Sequence, residues 1–189
     1  MTKVFIIHGT GGNPKRNWFP WLKEELEKKG CMVFVPDLPA PKNQSLDNWM
    51  FEFQDGSYYG LVDEDSIFVG HSLGPAFILS ILESLKLPKP LKACFFVSGF
   101  LGLLNNKEFD ELNRTFTTKK FDWAKIKNNC KKFYVINSDN DPYVPLEKGK
   151  ELAKYLGVDL IVLKNAGHIN QESRHIKFDF LLDLIKKEI

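Results

Sequence analysis

Six short apolar runs, each rich in β-branched or aromatic residues and bounded by Gly, Pro, Asn or Asp, constrain the fold of this chain most. The runs are continuous rather than alternating between polar and apolar residues, which is typical of strands covered on both faces. Parallel sheets with helices above and below contain strands of this kind. The sequence therefore predicts a mainly parallel six-stranded sheet with strands over residues 3–7, 31–35, 66–69, 92–98, 133–137 and 159–163.

The segments between these runs carry helix signals. Proline in the first turn predicts helices over residues 20–29 and 146–156, and Ser45 is a candidate N-cap for a helix that runs to Phe53. The last helix is indicated by an apolar stripe at helical spacing: Phe178, Leu181, Leu182, Ile185 and Ile189. Alternating strands and helices with right-handed crossovers give a three-layer α/β/α sandwich. A chain of 189 residues is expected to form a single domain over residues 1–189.

The least regular stretch is residues 99–129, which contains many aromatic and leucine residues without a clean period. One interpretation is a small lid over a functional site. The other is an ordinary crossover that packs its aromatic residues on the sheet and contains a helix near residues 122–128.

Composition excludes several classes of function. The 26 Lys and Arg against 24 Asp and Glu give a net charge of +2, and the lysine pairs are dispersed, so we expect no nucleic-acid partner. No apolar run approaches the roughly 18 residues of a membrane span, and no leader sequence is recognisable, so we expect a cytoplasmic protein that does not enter a membrane. The three cysteines are expected to be small buried hydrophobes, and neither metal-ligand spacing nor a cofactor motif is present.

A serine follows the third apolar run, in the sequence Gly-His-Ser-Leu-Gly at residues 70–74. The Gly-x-Ser-x-Gly arrangement is typical of a tight strand-to-helix turn that holds the serine hydroxyl above the sheet. The helix-like segment over residues 73–85 supplies the second half of this turn. Ser72 is therefore the candidate nucleophile of an acyl-transfer reaction.

A serine hydroxyl needs a base and an orienting acid, and both occur at the ends of later strands. His168, on a loop after the sixth strand, is the candidate base, since His175 is expected to be solvated and His71 to point away from Ser72. The candidate acids after the fifth strand are Asp141 and Asp139, which precedes it by two residues in the same turn. The chain order Ser, Asp, His is that of the α/β-hydrolases.

The oxyanion of a tetrahedral intermediate also needs donors. The backbone N–H of Leu73 and that of Thr10, in the glycine-containing loop after the first strand, are the candidates. The same loop does not match a dinucleotide fingerprint, because Pro14 stands at the third glycine position, and no P-loop lysine follows. Aromatic residues are candidates for the substrate pocket: Trp18, Phe100, Phe116 and Tyr143.

The whole chain resembles the small serine hydrolases of the α/β-hydrolase superfamily, the group that includes the retinoblastoma-binding serine hydrolase and the YdeN-like bacterial proteins. The resemblance rests on residues 4–12 (VFIIHGTGG), 18–26 (WFPWLKEEL), 36–39 (PDLP), 70–74 (GHSLG), 121–126 (FDWAKI), 138–145 (SDNDPYVP) and 166–168 (AGH). It implies a catalytic triad of Ser72, Asp141 and His168, because in the family's pattern the acid is the aspartate of Asp-x-x-Val/Leu-Pro and the base is the histidine of Gly-His. It also implies a minimal fold without a large cap domain. Pro75, directly after the Gly-x-Ser-x-Gly motif, departs from the usual small residue.

The leading hypothesis is a serine hydrolase that cleaves carboxylic esters, or alternatively thioesters or amides, of a small-molecule acyl substrate. The competing hypothesis is a non-catalytic protein-interaction module on a hydrolase scaffold. No retinoblastoma-binding Leu-x-Cys-x-Glu peptide occurs in the sequence. The sequence leaves the oligomeric state open.

Overall fold

The computed structural model describes all 189 residues and contains six strands and seven α-helices that mostly alternate along the chain. The strands are β1 (Lys3–Ile7), β2 (Met32–Phe34), β3 (Ser66–His71), β4 (Leu91–Val97), β5 (Cys130–Ser138) and β6 (Leu160–Leu163). The helices are α1 (Phe19–Glu27), α2 (Leu46–Asp55), α3 (Gly74–Ser84), α4 (Lys107–Thr117), α5 (Trp123–Asn128), α6 (Leu146–Leu156) and α7 (Asp179–Ile185). None of the helices combines the length and apolar character needed to span a bilayer.

All six strands pair in parallel, in the order β2-β1-β3-β4-β5-β6. One buried apolar cluster packs α2 to α6 on one face of the sheet, and a second packs α1 and α7 on the other face. The predicted three-layer α/β/α sandwich with a six-stranded parallel sheet is confirmed, and no large cap is present. Strands covered on both faces explain why the apolar runs are continuous.

Local signals fix several helix boundaries. The Ser45 side chain accepts a hydrogen bond from the Asn48 N–H (3.2 Å) and so acts as the predicted N-cap of α2. Pro75 lies in the first turn of α3. Backbone N–H groups in the first turn make no hydrogen bond within the helix, so the absence of an N–H on proline removes no hydrogen bond there. The three cysteines are buried and unpaired, as expected.

The segment over residues 99–129 contains α4, which the apolar pattern did not indicate. Two of the three buried residues of α4 are polar, Asn113 and Thr117, and the third is Phe116. A helix that buries polar side chains lacks the apolar stripe on which the prediction depended. The segment connects β4 to β5, and α4 forms one wall of the cavity described below.

The strand order reverses direction between β1 and β3, since β2 lies on one side of β1 and the later strands lie beyond β3. The loops at the carboxyl ends of β1 and β3 therefore diverge to opposite sides and leave a crevice, which is where ligands bind in open α/β sheets. This topology positions the loop of residues 8–12 beside the turn that carries Ser72.

Phe77 of α3 is fully buried and contacts the rings of Trp49 and Phe53 edge-on, whereas Phe51 of α2 is 62% exposed. We expect Phe77→Ala to lower the free energy of unfolding by about 3 to 5 kcal/mol, because it leaves a cavity in the apolar cluster between the sheet and helices α2 to α6. The matched exposed change Phe51→Ala should stay within about 0.5 kcal/mol. Urea unfolding of both variants measures the difference, and equal effects would contradict the assigned core.

Candidate active site

Ser72 occupies the turn between β3 and α3 with a φ of 57°, in the left-handed region that a residue with a side chain rarely adopts. Glycine is required on both sides of this turn. A Cβ on Gly74 would lie 2.6 Å from the Ile7 carbonyl oxygen, and one on Gly70 would lie 2.8 Å from the Pro75 nitrogen. The two glycines therefore let strand, helix and the neighbouring β1 approach closely enough to hold the strained serine.

The loop after β1 packs directly against this turn. A Cβ on Gly9 would lie 2.6 Å from the Ser72 Cβ, so only glycine fits there. The buried His8 side chain holds this loop through two hydrogen bonds. Its Nε2 accepts from the Leu38 N–H (3.2 Å), so Nε2 carries no proton. The proton is therefore on Nδ1, which donates to the Gly9 carbonyl oxygen (2.9 Å). Burial lowers the pKa of His8 and favours this neutral form.

Asp141 and His168 are hydrogen-bonded, with 2.7 Å between Asp141 Oδ2 and His168 Nδ1. The Asp141 side chain is fully buried, and its Oδ1 accepts hydrogen bonds from the backbone N–H groups of Tyr143 (2.9 Å) and Val144 (3.0 Å). A carboxylate fixed in this way makes Nδ1 the protonated nitrogen of the neutral imidazole and leaves Nε2 as an acceptor.

The other polar side chains of the loop after β5 hold the backbone of the His168 loop. Asp139, the alternative acid, accepts a hydrogen bond from the Asn165 N–H (2.8 Å) and none from His168. Ser138 accepts from the Ala166 N–H (3.0 Å), and Asn140 accepts from the Gly167 N–H (2.8 Å). Three consecutive side chains thus position three consecutive residues that precede His168.

His71 lies behind His168 and supports it. Its Nε2–H donates to the His168 carbonyl oxygen (2.9 Å), which also accepts from the Ser98 hydroxyl (3.2 Å), and the two imidazole rings are 4.8 Å apart. Burial, followed by the charge of His168, lowers the pKa of His71 to about 3. His71 is therefore a neutral donor at ordinary pH and not a second base.

A cavity of about 220 Å³ opens above the carboxyl ends of β1 and β3. Ser72, His168 and Thr10 line it, together with Phe100 and Tyr143, two of the aromatic residues predicted for the pocket. The Tyr143 ring contacts the His168 ring edge-on, with the centroids 5.1 Å apart. The arrangement joins a strained serine hydroxyl and a carboxylate-bound imidazole in one partly apolar cavity.

The other two predicted pocket residues do not line the cavity. Trp18 is fully buried beneath the site, where its indole N–H donates to the Ile169 carbonyl oxygen (2.9 Å) and its ring packs against Phe19. Phe116 is also fully buried and contacts Trp49 in the apolar cluster between the sheet and helices α2 to α6. Both predictions are wrong because these large aromatic side chains fill the core instead of facing the cavity.

The candidate oxyanion donors have no competing acceptor. Neither the Thr10 N–H nor the Leu73 N–H donates to another atom of the protein. Sequence reasoning missed Asn113, which lines the cavity from α4, and Gln44, which bonds to it. Neither residue belongs to a motif, and the only signal in the sequence was an asparagine inside an unusually polar helix.

A family model described as serine hydrolase matches residues 4–187 of the chain. YdeN of Bacillus subtilis strain 168, a protein named as a hydrolase, is 34% identical over all of this chain and 99% of its own length. The serine hydrolase RBBP9 of Rattus norvegicus is 25% identical over 92% of this chain and 90% of its own length.

The solved structures agree with these sequence matches. The crystal structure of the B. subtilis ydeN gene product superposes with a TM-score of 0.92 and 30% identity, over 100% of this chain and 98% of that one. Est1E of Butyrivibrio proteoclasticus, with ferulic acid bound, superposes with a TM-score of 0.71 and 17% identity, over 98% of this chain and 90% of that one. The second match supports the fold alone.

The buried neutral His71 makes stability depend on pH. In the unfolded chain His71 takes up a proton as the pH falls below its ordinary pKa of about 6.5, whereas in the native protein it stays neutral until about pH 3. The free energy of unfolding therefore has its full value above pH 6.5 and decreases as the pH is lowered through that value. Between pH 7 and 5 we expect His71 to account for a loss of about 2 kcal/mol.

His71→Gln keeps an N–H donor for the His168 carbonyl oxygen but does not titrate. Urea unfolding of both proteins at pH 7 and pH 5 should therefore show a smaller fall in the variant by about that amount. His8 titrates in both proteins and cancels in the comparison. Equal falls would contradict the assignment of His71 as the neutral partner of His168.

Proposed function

The chain belongs to the serine hydrolase family, and from the geometry of its site we propose that it hydrolyses carboxylic esters of short acyl groups through a covalent Ser72 acyl-enzyme. The observation that carries this proposal is the buried carboxylate of Asp141 bonded to His168, whose ring lines the same cavity as the strained Ser72. These are the three functional groups of a nucleophile, a base and an orienting acid.

In the first half-reaction, His168 Nε2 takes the proton of Ser72 while Oγ forms a bond to the carbonyl carbon of the ester. The backbone N–H groups of Thr10 and Leu73 stabilise the negative charge that develops on the carbonyl oxygen. Asp141 accepts the hydrogen bond from His168 Nδ1–H and stabilises the imidazolium without taking its proton. The imidazolium then protonates the departing alkoxide, so an alcohol leaves and the acyl group stays on Ser72.

In the second half-reaction, a water molecule takes the place of the alcohol. His168 removes its proton as the oxygen attacks the acyl carbon, and the Ser72 oxygen leaves with the proton that His168 returns. The products are a carboxylic acid and a free enzyme. The β5 loop and His71 hold the His168 backbone on both sides, which favours a ring that returns to the same position in each step.

The cavity supports a small substrate. A volume of about 220 Å³ suits a short acyl chain better than a long one, and its partly apolar lining includes Phe100 and Val144. A strained serine, a histidine and a carboxylate bonded to that histidine have a use in acyl transfer, whereas an interaction module without activity does not need this combination at one cavity. We therefore favour the enzyme over the non-catalytic scaffold.

A fluorophosphonate probe tests the nucleophile. At neutral pH we expect one adduct on Ser72, located by mass spectrometry of the digested protein, because His168 activates only this hydroxyl. The adduct should disappear in Ser72→Ala and form much more slowly in His168→Ala. Ser80→Ala, a matched change within α3 whose hydroxyl bonds to the Ala76 carbonyl oxygen, should label normally. An unlabelled wild-type protein, or an adduct at another serine, would refute the proposal.

The same substitution at Asp141 and at Asp139 tests which of the two aspartates orients His168. We expect Asp141→Asn to lower kcat for 4-nitrophenyl acetate by about 10⁴-fold, because the amide cannot hold His168 in the required tautomer. Asp139→Asn retains an oxygen that accepts the Asn165 N–H and should lower kcat less than about tenfold. A larger loss at Asp139 than at Asp141 would reverse the assignment.

A further inference from the structure

Asn113 of α4 lines the cavity although it is only 2% exposed. A polar side chain that is this buried and belongs to no part of the proposed catalytic machinery needs its hydrogen bonds explained. A role for Asn113 in substrate binding rests on the proposed ester hydrolysis at the same site.

A chain of hydrogen bonds fixes which way the Asn113 amide points. The Gly11 N–H can only donate, so its partner at 3.0 Å is the Oε1 of Gln44, and the other end of Gln44, Nε2, is a donor. That donor lies 3.0 Å from Asn113 Oδ1, which also accepts from the Thr10 hydroxyl (2.7 Å). Asn113 therefore turns its oxygen toward Thr10 and Gln44 and its Nδ2 away from them.

The Nδ2 group of Asn113 has no partner in the protein. The one fully enclosed side-chain polar atom without a hydrogen bond is Asn137 Oδ1, so Asn113 Nδ2 must reach accessible space. Because the rest of Asn113 is buried and the residue lines the cavity, that space is the cavity itself. The wall thus presents an oriented, unpaired N–H donor to whatever occupies the site.

The cavity wall that contains this donor is partly apolar. Phe109 lies one helical turn before Asn113 on the same side of α4, and Phe100 and Leu104 also line the cavity. The two charged residues at the cavity, Arg16 and Glu172, are exposed and of opposite sign, so together they do not select a charged substrate. Asn113 is the least exposed of the polar side chains that line the cavity, so its donor loses the most when a bound substrate offers it no acceptor.

We propose that Asn113 Nδ2 donates a hydrogen bond to an oxygen in the acyl chain of the substrate, so that the enzyme prefers short acyl groups with an ether, hydroxyl or keto oxygen near the ester carbonyl. The acyl side is assigned because Thr10, which bonds to Asn113, is also the proposed oxyanion donor to the acyl carbonyl. An alkyl chain in the same position excludes water and leaves the buried N–H donor of Asn113 unpaired. The desolvation free energy of that donor then weakens the binding of the alkyl substrate.

Two 4-nitrophenyl esters that differ by one atom test this specificity. Methoxyacetate carries an oxygen where butyrate has a methylene, and each kcat/KM is divided by the rate constant for hydroxide hydrolysis to remove intrinsic reactivity. We expect the wild-type enzyme to prefer methoxyacetate by at least about tenfold after this correction. The preference should appear mainly in KM if the hydrogen bond forms equally in the ground state and the transition state.

Substitutions separate specificity from support of the fold. Asn113→Asp keeps the oxygen that accepts from Thr10 and Gln44 but removes the donor, and Asn113→Leu removes both. Both should reduce the corrected preference to about one. Asn106→Ala removes the N-cap of α4, where the Asn106 side chain accepts from the Phe109 N–H, and should leave the preference unchanged although it loosens the same helix.

The outcomes are distinct. Ser72-dependent hydrolysis of both esters with a corrected wild-type ratio near one would overturn the inference and leave ester hydrolysis standing; this comparison needs no variant to fold. A preference that persists in Asn113→Asp would also overturn it. If an oxygen is favoured only in the alcohol portion, with 2-methoxyethyl butyrate preferred over butyl butyrate, the acyl-side assignment is wrong. If neither ester is hydrolysed through Ser72, the proposed function and this inference fail together.

Discussion

The close approach of three backbone segments around Ser72 is the constraint on which the rest of the site depends. β1 and β3 pair in parallel register, so the Gly9 loop and the strand-to-helix turn leave the sheet side by side. Glycines at positions 9, 70 and 74 let these segments meet without side chains between them. The left-handed serine is tolerated because the surrounding backbone allows no relaxed alternative, and the same packing brings Thr10 to the cavity beside it.

Hydrogen bonds to the backbone, rather than packing alone, hold the functional side chains. Asp141 is fixed by two N–H groups of its own turn, and the His168 loop is held by the polar side chains after β5. His71 works from the opposite side as a buried neutral donor to the His168 carbonyl oxygen. These hydrogen bonds restrict the positions of Asp141 and His168, and the proposed reaction requires this because small displacements of a catalytic base lower the rate.

The fold was largely predictable because its strands are short, continuous apolar runs separated by clear turn residues. The predicted strand over residues 3–7 has the observed bounds, and the others differ by a few residues at their ends, where hydrogen bonding to the neighbouring strand decides the boundary. α4 was missed since it buries Asn113 and Thr117 in place of apolar residues. Trp18 and Phe116 were misplaced because an aromatic residue near a motif has the same appearance in a sequence whether it faces the cavity or the core.

The sequence by itself determined the succession of six strands along the chain, most of the helices between them, and the presence of a serine, an acid and a histidine at the carboxyl ends of three strands. Those properties follow from local composition and from the short-range chemistry of turns. The residues alone left Asp141 and Asp139 open and the motif resemblance favoured Asp141, but only the tertiary structure shows that Asp141 bonds to His168 and that Asn113 lines the cavity. These choices depend on hydrogen bonds between residues up to 103 positions apart, and no local pattern in the chain encodes the direction in which such side chains point.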